Sequence, residues 1–421
     1  MTKPELERFD VVVVGGGPAG ATAATDLANE GRSVLLIDRG DRIKPCGGAI
    51  PPRLIRDFAI PDDVLCTRIG AARAVAPSGR SVTMTVQDSA PGAFVGMVDR
   101  KHFDPWLRAR AASAGAVVRT GRFTGFERLA SGRLCVTYRG DRSGPELKVE
   151  TTLLIGADGA RSEVARQALP KEKSRYVFAY HEIVRSPGAQ SRDFAADCCD
   201  VIYRGDVSPD FYGWVFPHGD TTSIGAGSAH KGFGLRESVA RLRSDSGLGQ
   251  CQTVRREGAP IPLRPLRRWD DGRGVLLVGD AAGVVAPASG EGIYYAMLCG
   301  QMGANAAAAA LATGDMRELA GARRAFMAEH GKVFRILGAM QAVWYRNDWL
   351  RERFVGLCRD RDVQRLTWIA YCEKQLVRAQ HSAHARLLVK NAANVVAGWL
   401  RGGAFRRPPM LTGAAAEGER R

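Results

Sequence analysis

The chain has 421 residues, 45% of them apolar and 25% charged, with a formal net charge of +16. That length exceeds one ordinary core and the composition is globular, which excludes a fibrous or wholly disordered chain and predicts two or three domains. Nine cysteines, an odd number with no CxxC pair, argue against a disulfide framework or a zinc site and for a reducing cytoplasm, so no metal is expected.

Met1 to Glu7 is polar, and no secretory leader is expected before the apolar run that follows. That run, Phe9 to Val14, reads as a buried strand entering Gly15-Gly16-Gly17-Pro18-Ala19-Gly20, a GxGxxG turn that opens an alanine-rich helix. Gly15 permits the tight turn, Gly17 lets backbone approach a pyrophosphate, and Gly20 lets helix and strand pack closely. The uncapped amides and positive dipole end of such a helix favour phosphate. A second strand, Val34 to Ile37, ends in Asp38 and Arg39, and Asp38 is placed to accept hydrogen bonds from a ribose diol.

The next loop, Lys44-Pro45-Cys46-Gly47-Gly48-Ala49-Ile50, can lie flat against a planar ring because of its two glycines, with the Cys46 thiol beside it. Residues 71–96 and 176–261 alternate β-formers with polar residues, as in Ser81 to Val86, and predict a sheet with one wet face. Arg100 begins a helix and is placed to reach a phosphate or ribityl oxygen. Leu153-Leu154-Ile155 ends in Asp158-Gly159, followed by Arg161, a turn able to meet a flavin and an incoming nicotinamide. In Pro209 to Pro217, strand alternation puts Tyr212, Trp214 and Phe216 on one face as an aromatic wall.

A third strand, Val275 to Val278, ends in Gly279-Asp280, and Pro287-Ala288-Ser289-Gly290-Glu291-Gly292-Ile293 then opens an uncharged helix. Asp280 suits ribityl hydroxyls, and amides near Gly290 and Gly292 suit negative charge on a reduced ring. Three strand-ending motifs of this kind make sense together around one flavin dinucleotide, FAD. The uncharged stretch 292–314 is too polar for a bilayer span and reads as a buried helix, with no transmembrane helix expected.

From Gly331 to Arg421 there are 17 Lys/Arg against 7 Asp/Glu and four of the seven tryptophans, Trp344, Trp349, Trp368 and Trp399. Basic, tryptophan-rich helices suit an anionic membrane surface; a solvated basic face over an ordinary core is the competing reading. Nucleic acid is not expected, because no recognition module accompanies the charge.

These motifs, in this order, resemble the p-hydroxybenzoate hydroxylase-like flavoproteins. The Cys46-Gly47-Gly48 loop and the Pro209-Asp210-Phe211-Tyr212-Gly213-Trp214-Val215-Phe216-Pro217 segment narrow the likeness to geranylgeranyl reductases, most of all those acting on bacteriochlorophyll. The resemblance spans about residues 8–400. It implies an α/β fold: a Rossmann-like FAD-binding domain (8–70, 97–175 and 262–325) with an inserted antiparallel β-sheet substrate domain (71–96 and 176–261). A helical C-terminal region (326–405) and a disordered tail (406–421) would follow.

The implied activity is saturation of isolated double bonds in a geranylgeranyl chain by flavin hydride and a proton, at the cytoplasmic side of a photosynthetic membrane. The substrate would be a prenylated pigment or prenyl lipid. Only one GxGxxG occurs, so NADPH, or a reduced ferredoxin, would be a transient electron donor. Tyr212, Trp214 and Phe216 would stabilise cationic character in the chain, with the Tyr212 hydroxyl or Cys46 thiol as proton relay. An aromatic monooxygenase and a non-catalytic prenyl-pigment carrier are the rival readings. The oligomeric state is open.

Overall fold

The computed structural model describes residues 6–374, except 41, 89–91, 141–143 and 188–193. The apolar run folds as expected. Val11, Val12 and Val13 have no exposed surface, as befits a strand covered on both faces. Glu7–Val14 pairs in parallel with Val34–Asp38 on one side and with Glu146–Gly156 on the other. Val117–Thr120 extends the sheet beyond Val34–Asp38, also in parallel. On the far side, Glu146–Gly156 pairs antiparallel with Leu134–Arg139, then in parallel with Val275–Leu277 along its last residues. Arg122–Arg128 completes seven strands. The glycine turn, the Asp158 turn and the Asp280 turn therefore leave the carboxyl ends of neighbouring parallel strands, where doubly wound sheets bind ligands.

Nine helices are described: α1 (Pro18–Asn29), α2 (Pro52–Asp57), α3 (Arg100–Ser113), α4 (Glu163–Ala168), α5 (Leu235–Asp245), α6 (Ile293–Thr313), α7 (Ala320–Trp344), α8 (Asp348–Leu357) and α9 (Arg361–Glu373). The uncharged stretch is α6, with Gly314 (φ 72°) as its left-handed C-cap. It packs hard on α1: a Cβ at Gly300 would strike the Ala19 carbonyl, and one at Gly279 would lie 2.6 Å from the Ala19 methyl. Among the described residues, no helix is long and apolar enough to cross a membrane.

The second large sheet runs Thr253–Pro262, Tyr176–Arg185, Thr221–Ser228, Gly213–Pro217, Cys198–Ile202, Ala71–Val75, Ser81–Thr85 in spatial order. It is not wholly antiparallel. Cys198–Ile202 pairs in parallel with Ala71–Val75, because these strands come from separate pieces of chain and no hairpin constrains their direction. A small sheet of Ala49–Ile50, Val95–Met97 and Thr67–Ile69 joins the Cys46 loop to the start of α3.

The basic C-terminal region is described as far as Lys374. The predicted tail at 406–421, the later part of the helical region and Trp399 lie outside the described residues. Of the remaining tryptophans there, Trp368 is buried in one apolar cluster, Trp344 packs into another 6.0 Å from Phe354, and Trp349 lies half-buried under the Arg353 guanidinium at 4.2 Å.

Candidate active site

Gly15 sits at φ 103°, and a Cβ there would lie 2.6 Å from the Ala157 carbonyl carbon, so the turn tolerates only glycine. A Cβ at Gly20 would strike the Gly15 carbonyl. Gly17 is different. It is the N-cap of α1, with Pro18 and Ala19 in the first turn and no side-chain cap, and its hypothetical Cβ would meet only the Arg100 Nη2 (3.5 Å) and Asp104 Oδ2 (3.9 Å). The space over Gly17 is a cradle bounded by backbone and a guanidinium, which fits a pyrophosphate.

Asp38 is held at the tip of its strand by the Gly16 amide (2.7 Å to Oδ2) and the Gly40 amide (2.8 Å to Oδ1). Arg108 of α3, which the sequence reading did not single out, lies 3.4 Å from the same carboxylate and donates to the Gly16 carbonyl at 3.3 Å. Arg39 beside it is exposed.

Arg100 is buried against the cradle and makes a two-pronged pair with Asp104 one turn along α3, at 2.5 Å (Nε to Oδ1) and 2.6 Å (Nη2 to Oδ2). Burial opposes the charge, but the Asp104 carboxylate outweighs it and keeps the guanidinium protonated. Arg100 is therefore a fixed charge at the cradle rather than a free arm.

The Asp158 carboxylate caps α4, accepting from Ser162 Oγ (2.5 Å), the Glu163 amide (2.7 Å) and the Val164 amide (3.2 Å). Arg161 stacks 5.8 Å over Phe178. The Gly290 amide donates to the Ala286 carbonyl at 2.9 Å and is not available to a ring. At φ 64° the missing side chain of Gly290 makes room for the Phe211 ring and the Tyr212 hydroxyl, 3.2 Å and 3.4 Å from a hypothetical Cβ.

Asp280 is buried and paired with Lys44 of the Cys46 loop. Its other oxygen lies 3.7 Å from a hypothetical Cβ at Gly292, the uncapped N-terminal residue of α6, and Ile293 begins that helix in the core. Pro287 packs under α7, 3.9 Å from a hypothetical Cβ at Gly338. Asp280, Gly292 and the Cys46 loop thus converge on one side of the glycine cradle.

The aromatic wall forms as the alternation requires. Tyr212 and Trp214 meet edge to face at 6.1 Å, and Trp214 and Phe216 at 6.4 Å. A Cβ at Gly47 would lie 3.1 Å from the Phe216 ring, so the two narrow motifs are in contact. The Tyr212 hydroxyl donates to the Ser289 carbonyl at 2.5 Å, tying the wall to the Gly290 loop. Burial, followed by Tyr345, Cys46 and Glu291, pushes this phenol far above its ordinary value, so it remains protonated. Tyr203, Tyr345 and Phe354 thicken the wall, with Tyr203 centred 5.4 Å from Tyr345 and 5.1 Å from Phe354. None of these three showed in the strand pattern, since they come from other elements.

Behind the wall runs a polar chain that sequence reasoning missed. Trp214 Nε1 donates to Ser223 Oγ (3.1 Å), Ser223 meets His181 Nδ1 (3.0 Å), and His181 Nε2 meets Glu257 (2.9 Å). Glu257 then pairs with Arg255 (2.7 Å), which pairs with Asp99 (2.8 Å), the N-cap of α3. Arg255, Glu257, Asp99, Lys44, Cys46 and His218 line a narrow cleft between sheet and cradle. Among the described residues, no cluster suits a metal ion.

An FAD binding domain family matches residues 8–183. The geranylgeranyl diphosphate reductase of Rhodobacter capsulatus is 51% identical, covering 92% of this chain and 97% of its own length. The chloroplastic geranylgeranyl diphosphate reductase of rice, Oryza sativa subsp. japonica, is 35% identical, covering 93% and 87%. The crystal structure of a geranylgeranyl bacteriochlorophyll reductase-like protein from Thermoplasma acidophilum superposes with a TM-score of 0.76 at 22% identity, covering 90% of this chain and 100% of that one, and shows the shared fold. With the glycine cradle, the Cys46 loop and the aromatic wall in place, this chain belongs to the geranylgeranyl reductase family.

Proposed function

We propose that this protein saturates the isolated double bonds of a geranylgeranyl group, and that the group is carried by bacteriochlorophyll or chlorophyll and converted to phytyl. The observation that carries this reading is the contact between Phe216 of the aromatic wall and Gly47 of the Cys46 loop. The loop would lie over the isoalloxazine, and the wall would then face a chain stacked against it.

Gly15, Gly17, Pro18, Ala19, Gly20, Asp38 and Arg39 would hold the dinucleotide. Arg100, Asp280, Pro287, Gly292 and Ile293, with Gly47 and Gly48, would surround its inner half. The bound flavin supplies hydride. The protein supplies everything else. An unconjugated alkene has no carbonyl to polarise it, so proton transfer must run with or ahead of hydride transfer and needs a dry site with aromatic faces. Tyr212 is 8% exposed and Trp214 5%, which meets that need. The electron donor in this reading is NADPH, with reduced ferredoxin as the other choice.

A pigment or lipid substrate places the protein at a membrane. The solvent side of α7 supports this: Ile336 and Val343, 46% and 50% exposed, lie two turns apart among Lys332, Arg335 and Arg346. The deciding experiment is mass spectrometry of pigments from cells lacking the protein. Geranylgeranyl tails in place of phytyl are expected; unchanged phytyl pigment overturns the pigment assignment. Anaerobic reoxidation of the reduced flavin by a geranylgeranyl substrate separates a reductase from a monooxygenase, which requires oxygen, and from a carrier.

A further inference from the structure

Three residues before the first tyrosine of α6, Glu291 has 9% of its side chain exposed and pairs with Lys374, 3% exposed, at the end of α9. Removing two charges from water is costly. Lys374 also holds a left-handed backbone (φ 52°, ψ 30°), uncommon in a non-glycine residue. Its ammonium lies 3.9 Å from the centre of the Tyr371 ring and 5.9 Å from those of Tyr294 and Tyr295.

The pair is incompletely satisfied. Glu291 Oε1, Tyr294 Oη and both ring nitrogens of His330 are buried and have no hydrogen-bond partner among the described residues. Buried polar atoms of this kind are where bridging waters sit. Around them, Glu329, 46% exposed, lies 3.2 Å from His330 Nε2 without making a hydrogen bond; His330 lies 6.4 Å from Tyr294, ring centre to ring centre; and Arg53 sits 5.7 Å over Tyr294. On the inner side, Glu291 follows Ser289 and Gly290, the residues on which the Tyr212 hydroxyl rests.

We propose that the Glu291–Lys374 pair is the internal proton source for the reaction, passing its proton through Tyr212 and refilled from solvent past Glu329, His330 and Tyr294. This rests on the reductase reading above. In balance, one alkene carbon takes hydride from the reduced flavin and its neighbour takes the Tyr212 proton. The tyrosine regains a proton from the pair, and the pair regains one from water. Nothing beyond the flavin's two electrons and one solvent proton is consumed.

The other titratable and charged groups facing the pair are Arg53, Tyr294, Tyr295, Tyr371 and Cys372. Burial raises the Glu291 carboxyl and lowers the Lys374 ammonium, with each partner opposing the other's shift.

The test uses the FAD-loaded protein, reduced anaerobically with dithionite and mixed with geranylgeranyl pigment. Glu291→Gln should slow flavin reoxidation by the pigment about 100-fold without altering flavin reduction by dithionite. Lys374→Met should move the acid-dependent limb of the reoxidation rate to higher pH, an effect that a merely structural role would not produce. A second readout needs no flavin. Infrared difference spectra of the flavin-free protein across pH should show a carboxyl band titrating above the ordinary carboxylate range, absent in Glu291→Gln.

Wild-type reoxidation rate and pH limb in Glu291→Gln, or no such band in wild type, overturn the proposal. If Glu291→Gln fails to hold flavin, the infrared titration of wild type and Lys374→Met decides. If wild-type reduced flavin ignores every geranylgeranyl substrate, the reductase reading falls while the infrared titration still judges the pair.

Discussion

Arg255 of the second sheet reaches Asp99, the N-cap of α3, at 2.8 Å, so a strand that lines the cleft is tied to the helix that presents Arg100 to the glycine cradle. Arg255 outweighs the effect of burial and holds the Asp99 carboxyl below its ordinary value. Asp99→Ala should therefore both weaken the α3 cap and leave Arg255 with only Glu257. A loss of about 1–3 kcal/mol is expected, read as a shift in the denaturant midpoint. A double-mutant cycle with Arg255→Ala should show coupling between the two sites.

The glycines separate into two classes that substitution will distinguish. Gly20→Ala forces a methyl onto the Gly15 carbonyl and should give an unstable, flavin-free protein. Gly17→Ala meets only ordinary contacts with Arg100 and Asp104, so the protein should fold normally. Its methyl would occupy the cradle, however, and weaken FAD by at least about tenfold, or ~1.4 kcal/mol. Thermal shift on titrating FAD into the stripped protein measures both.

Removing the Tyr212 hydroxyl breaks its bond to Ser289 but keeps the ring in the wall. Tyr212→Phe should retain FAD and lower kcat about 100-fold if the phenol carries the proton. Trp214→Leu should instead raise KM and lower kcat together, because it removes aromatic surface and leaves Ser223 without its indole donor.

Histidine burial sets a pH window for stability. Burial lowers the pKa of His218 below its ordinary value of 6.5, and that of His330 likewise. The unfolded chain then binds more protons between the folded values and 6.5, so stability is complete above that pH and declines as pH falls through the folded values. Melting temperature should drop in that interval. His218→Gln should flatten the slope.

At the membrane, Ile336→Glu with Val343→Glu should reduce binding to anionic vesicles, and raising salt should weaken the wild type in the same assay. Equal binding by the variant would exclude this face of α7.

How much of this was legible in the sequence depended on distance along the chain. The glycine turn and Asp38 announce themselves because strand, turn, helix and acid succeed one another within one βαβ unit. The wall of Tyr212, Trp214 and Phe216 follows from strand alternation alone. By contrast, Asp99 and Arg255 are 156 residues apart and Glu291 and Lys374 are 83 apart, and no local pattern marks either member. Asp158 is ambiguous for a related reason. An acid after a strand reads equally as a ligand group or a helix cap, and only the position of Ser162 and the α4 amides decides. At Gly290 the sequence points to the amide, whereas in the fold it is the absent side chain that makes room for the Phe211 ring and the Tyr212 hydroxyl.

The parallel seam between Ala71–Val75 and Cys198–Ile202 carries a consequence for synthesis. The early hairpin with Ser81–Thr85 emerges from the ribosome long before the strand that will receive it, and meanwhile presents an open edge. Completion of this sheet must wait until the intervening stretch of nucleotide-binding chain has been made, so assembly of the two halves is interlocked and slow. Truncations ending between residues 85 and 198 should therefore aggregate rather than yield a smaller soluble fragment.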